Sequence, residues 1–79
     1  MKYRIYILQL AQKYSYKDLT IVENTTFEDM GLDSYDIVDF LVEVEEHCDV
    51  FIPNDEMLQL KSIQDVLNTI DQYSQEENK

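Results

Sequence analysis

The chain has 79 residues, 44% of them apolar, with one glycine and one proline. A chain this short buries only about 60% of the surface its unfolded form exposes, which argues against a deep enzyme cleft and for one small domain, and the scarcity of turn residues favours helices over a sheet. Seventeen acids against six Lys and Arg give a formal net charge of −11, a field that repels nucleic acid and anionic membranes and speeds encounter with basic protein surfaces.

The charge is unevenly distributed. Lys2, Arg4, Lys13 and Lys17 sit at the start, and residues 18–60 then hold 13 acids and no Lys or Arg. The basic and apolar residues of "MKYRIYILQLAQKY" alternate, so neither a signal peptide nor a membrane span is expected. The single cysteine, Cys48, forms no intrachain disulfide, as is usual in a reducing compartment, and a cytoplasmic location is expected.

In chain order, Tyr3, Ile7, Leu10, Ala11 and Tyr14 at helical spacing predict a first helix over residues 2–14. Residues 15–33 form a long loop, with Leu19, Val22, Phe27 and Leu32 available to pin it. Within it, Thr26 followed by Asp29 predicts one capped turn around Phe27 and Met30. A second helix starts at 34 or 35 and runs to about 47, with Asp33 or Ser34 as its N-cap. A short third helix follows Pro53, with Asn54 as N-cap and an end near Leu60. The last begins at Ser62 with Asp65 three residues on, and carries the core stripe Ile63, Val66, Leu67, Ile70 and Tyr73. The expected fold is all-α: a small four-helix bundle with a long loop between helices 1 and 2 and a short third helix. Its domain covers residues 1–73, and residues 74–79 are a flexible polar tail.

The second helix has two apolar stripes. Ile37, Phe40, Leu41, Val44 and Cys48 point one way, towards the core. Tyr35, Val38 and Val42 form another, surrounded by Asp36, Asp39, Glu43, Glu45 and Glu46. Scattered exposed apolar residues are ordinary. Three at i, i+3 and i+7 within a ring of acids instead suggest a docking strip, where apolar contact gives grip and charge gives steering.

Ser34 starts that strip. As a hydrolase nucleophile it needs a base, yet the one histidine, His47, lies about 20 Å further along a continuous helix. His47 and Cys48 are adjacent and point in different directions, so they read as a partly buried histidine and a core cysteine rather than metal ligands. The spacing of Asp29, Asp33 and Asp36 does not fit a calcium loop, and no metal site is expected. A serine at a helix N-terminus is also exposed, and a phosphodiester placed there meets free N–H groups. Ser34 is therefore a helix start, an acceptor for a covalent group, or both.

The stretch "FEDMGLDSYDIVDFLVEVEEHCDVFIPNDEMLQLKSIQDVLNTI", residues 27–70, strongly resembles the acyl carrier protein family. An Asp-Ser pair opens an acidic helix, an Ile-Pro with following acids comes after it, and a capped last helix closes the pattern. The resemblance implies that the protein is not an enzyme. It implies that Ser34 carries covalent 4'-phosphopantetheine, installed from coenzyme A by a separate phosphopantetheinyl transferase that reads Asp33. It implies a partner surface of Tyr35, Asp36, Val38, Asp39, Val42, Glu45 and Glu46 for basic-surfaced acyl synthases, reductases and transferases. It also implies an acyl pocket lined by Leu41, Val44, Ile52, Leu60 and Ile63.

The expected role is to hold acyl chains as thioesters in type II fatty-acid or polyketide synthesis, as a monomer. An aminoacyl or peptidyl carrier and an unmodified acidic interaction module are the alternatives. Tyr35 departs from the family, where leucine usually follows the serine. Such a ring at the mouth of the strip is expected to change partner preference, and with the loop aromatic Phe27 one position from its usual place and six tyrosines in the chain it leaves room for a specialised pathway.

Overall fold

The computed structural model describes residues 2–74. The element order is α1 (Arg4–Tyr14), α2 (Phe27–Met30), α3 (Ser34–Cys48), α4 (Asn54–Met57) and α5 (Ile63–Ser74). Among the described residues there is no strand, only an isolated antiparallel bridge between Thr26 and Ser62. The all-α bundle is as expected, with the capped turn at Phe27 as a short helix of its own.

The long helix α1 packs on both α3 and α5. Ile7 and Ala11 of α1, Phe40, Leu41, Val44 and Cys48 of α3, and Ile63, Val66 and Ile70 of α5 are fully buried between them. The Phe40 ring joins three elements by edge-to-face contacts: Tyr14 of α1 at 5.5 Å and Phe27 of α2 at 6.0 Å. This geometry sets the positive edge of one ring against the negative face of the next.

Two reciprocal capping boxes form at the starts of α2 and α5. Asp29 N–H donates to Thr26 Oγ1 at 3.0 Å and Thr26 N–H to Asp29 at 3.2 Å. Asp65 N–H donates to Ser62 Oγ, and Ser62 N–H to Asp65, both at 3.2 Å. Each box satisfies N–H groups that a helix start leaves unpaired. Backbone bonds then join the two helix starts, from Phe27 N–H to the Lys61 carbonyl at 2.9 Å and from Ile63 N–H to the Thr25 carbonyl at 3.0 Å. The long loop is thus held against the start of α5.

Several local expectations are corrected. α1 starts at Arg4 rather than residue 2, with Tyr3 at the N-cap position. Asn54 is not the N-cap of α4: Pro53 takes that position, Asn54 is the first helical residue, and the helix ends at Met57 rather than near Leu60. Proline suits this place because its fixed φ leads into a helix start. The loop is pinned by Ile21, buried, while Val22 points outward. Ser74 belongs to α5 instead of the tail; the remainder of the expected tail, 75–79, lies outside the described residues.

Candidate functional site

The segment before α3 is shaped by Gly31. It ends α2 with φ +79°, in the left-handed region, where glycine has no Cβ penalty. A Cβ there would also lie 3.3 Å from Lys17 Cε. The chain then extends through Leu32, half-buried against the core, to Asp33.

Asp33, not Ser34, is the N-cap of α3. Asp33 Oδ1 accepts from Asp36 N–H at 2.9 Å and Asp36 Oδ2 accepts from Asp33 N–H at 3.2 Å, a capping box built from two aspartates. The work of starting the helix therefore falls to Asp33 and Asp36. Ser34, the first helical residue, is exposed, and its hydroxyl is not used in the cap.

Ser34 lines a cleft of about 720 Å³ between α2, the start of α3 and the segment joining α4 to α5. Its apolar walls include Phe27, Leu32, Ile37, Met57 and Leu60, with Glu28 and Lys61 as charged members. Of the residues assigned to an acyl pocket, Leu60 lines this cleft, while Leu41, Val44, Ile52 and Ile63 are fully buried in the closed core. Ile37, read from the helical wheel as a core residue, is half-buried and faces the cleft. A signal for it was present, since Ile37 lies three residues after Ser34 and hence on the same side of the helix. Met57 and Phe27 carry no such signal, because long-range packing brings them there.

The second stripe of α3 is graded. Tyr35 is 80% exposed and Val42 40%, whereas Val38 is half-buried. Its acids also separate into groups. Asp36 serves the cap and accepts from the Tyr16 hydroxyl at 3.2 Å; Glu43 accepts from the Tyr14 hydroxyl at 2.8 Å; Glu45 accepts from Ile52 N–H at 2.6 Å. Asp39 and Glu46 are exposed. Along the sequence Asp36, Asp39, Glu45 and Glu46 are alike, and the tertiary contacts divide them.

The acids also act on the tyrosines of α1 and the loop after it. Burial, followed by the hydrogen bond to Glu43, pushes the Tyr14 phenol up to about 12. The charge of Asp36, then its hydrogen bond, raises Tyr16. His47 is exposed rather than partly buried, with its ring stacked on Tyr6 at 3.6 Å and 11°. It lies at the far end of α3 from Ser34, so no triad forms.

The family model for the phosphopantetheine attachment site matches residues 6–70. The chain belongs to the acyl carrier protein family. It is 35% identical over 54 residues to an acyl carrier protein homolog of Mycoplasmopsis pulmonis, covering 68% of this chain and 74% of that relative. It is 43% identical over 54 residues to an acyl carrier protein of Campylobacter fetus, covering 68% and 70%. A crystal structure of an acyl carrier protein from Thermotoga maritima superposes with a TM-score of 0.79 at 25% identity, over 95% of this chain and 89% of that one.

As a member of this family the protein is a carrier and not an enzyme, and its covalent cofactor is phosphopantetheine. The residues fit such a group: an exposed serine at a helix start opens onto a cleft with both apolar walls and a cation. No helix among the described residues is long and apolar enough to cross a membrane.

Proposed function

We propose that Ser34 is the attachment residue, and that the carrier delivers acyl intermediates to enzymes of dissociated fatty-acid or polyketide synthesis. The observation that carries this reading is the position of Ser34: exposed, in the first turn of a helix capped by its neighbour, and on the rim of the apolar cleft. The phosphopantetheine group supplies a thiol on a flexible arm, where an acyl chain is held as a thioester.

The protein's own residues do the rest. Asp33 and Asp36 keep the first turn of α3 wound, so the Ser34 hydroxyl is presented at a constant place. Among the described residues no side chain is hydrogen-bonded to that hydroxyl, which leaves it open to the transferase. Phe27, Ile37 and Leu60 offer apolar surface next to the attachment point, which favours an acyl chain over water. Tyr35, Val38 and Val42 give grip to a partner, and Asp39 and Glu46 give steering towards basic surfaces. The exposed ring of Tyr35 supports a specialised partner set. A reducing, cytoplasmic setting agrees with the buried thiol of Cys48.

Intact mass after incubation with coenzyme A and a broad-specificity transferase tests the assignment. The wild type is expected to gain one phosphopantetheine and Ser34→Ala none. A wild type that gains nothing would return Ser34 to the start of a helix in an acidic interaction module.

A further inference from the structure

Lys61 is the one Lys or Arg between positions 18 and 78. Its backbone is fixed on both sides: the carbonyl accepts from Phe27 N–H at 2.9 Å, and its own N–H donates to Asp65 at 2.8 Å. Those bonds hold the residue in the wall of the same cleft as Ser34. The side chain is exposed, and among the described residues the one salt bridge is that of Arg4 with Glu23. A lysine in a chain with this excess of acids, anchored by its backbone and paired with none of them, is placed to meet an anion brought by a ligand.

The anion that reaches this cleft, on the reading of Ser34 given above, is a phosphodiester. It arrives among carboxylates: Asp33 and Asp36 flank Ser34, and Glu28 lies in the cleft wall. Part of the helix start that normally meets a phosphate is already used, because Asp36 N–H donates to Asp33. A cation in the cleft adds compensation, since a lysine ammonium bonds a phosphate oxygen more strongly than a neutral donor does. Lys17 packs its stem against Gly31 but does not line the cleft. Lys61 does.

We propose that Lys61 is the counter-cation of the phosphodiester on Ser34, a positioning residue that holds the first segment of the arm along the cleft. The arm is then directed towards Ile37 and Leu60 instead of sweeping through solvent. This inference rests on Ser34 being the attachment residue, and its test keeps the two apart.

Wild type, Lys61→Gln, Lys61→Arg and Lys17→Gln are compared before and after modification, with loading verified by intact mass. At about 20 mM salt, the change in Tm on modification is expected to be about 2–5 °C less favourable in Lys61→Gln than in wild type, and the difference fades by about 0.5 M. Lys61→Arg restores the wild-type change and Lys17→Gln retains it. The phosphorus-31 resonance of the modified chain should move with Lys61→Gln and stay with Lys17→Gln, which a purely structural role for Lys61 would not produce. A loaded wild type whose resonance and Tm change are both matched by Lys61→Gln overturns this inference and leaves Ser34 standing. A wild type that gains no mass overturns both.

Discussion

Glu45 sits on the acidic helix among residues that suggest a partner surface, yet its carboxylate accepts the Ile52 N–H at 2.6 Å. That bond ties α3 to the segment leading into α4, beside a fully buried Ile52 side chain. Glu45→Ala leaves this part-buried amide without its acceptor. A hydrogen bond to a charged group contributes about 1.5–3 kcal/mol, and the half-exposed position of Glu45 puts the loss in the lower part of that range, about 1.5–2 kcal/mol. Glu46, one residue on, is exposed, and Glu46→Ala is expected to change stability by less than about 0.5 kcal/mol. In a domain of this size 1 kcal/mol moves Tm by about 4–8 °C, so Glu45→Ala should melt about 6–16 °C below wild type while Glu46→Ala stays near it. Thermal melts followed by far-ultraviolet circular dichroism, with urea titrations in parallel, measure the difference. Equal melting of the two variants would refute the structural role of Glu45 and return it to the partner surface with Glu46.

Asp33→Ala should cost about 1 kcal/mol through loss of the α3 cap, whereas Asp33→Asn keeps an acceptor and should be nearly neutral. If the transferase reads the charge, modification of Asp33→Asn slows despite its stability; wild-type modification rates would make Asp33 a cap alone. The folded Tyr14 phenol, at about 12, lies above the ordinary 10.0, so the native state holds that proton more tightly. The stability it contributes is complete below pH 10 and is lost as pH rises towards 12. Tyr14→Phe should flatten the fall of stability across that window, and an unchanged slope in alkaline unfolding would reject the assignment. Asp39→Lys combined with Glu46→Lys should keep the helix but lower partner turnover and weaken its dependence on salt; unchanged kinetics with enzymes that use the carrier would reduce these acids to a solubilising surface.

Much of the site was legible because its signals are local. Thr26 with Asp29, Asp33 with its helix, and Ser62 with Asp65 each act within one turn, so a window of four residues suffices to reveal them. The two stripes of α3 follow from 3.6-residue periodicity, and Tyr35 and Val42 do face solvent. Ser34 needed more: its neighbours allow a cap and an attachment point equally, and the proposal of attachment rests on the family pattern over residues 27–70. The structure gives the cap to Asp33 and leaves Ser34 exposed.

By itself, the sequence determined the helices, the acidic face and the place where Ser34 stands, because periodicity, capping and charge act over one to four residues. Tertiary structure decided which residues meet across the chain. It set Lys61 in the same cleft as Ser34 through backbone bonds between the starts of α2 and α5. It withdrew Glu45 towards Ile52 and paired Glu43 with Tyr14, leaving Asp39 and Glu46 exposed. It also closed the core over Leu41, Val44, Ile52 and Ile63, so that of the expected acyl pocket only Leu60 borders the cleft. The physical reason is common to all three: burial and long-range hydrogen bonds depend on how helices pack, and neither periodicity nor spacing along one helix encodes the side chain it will meet on another.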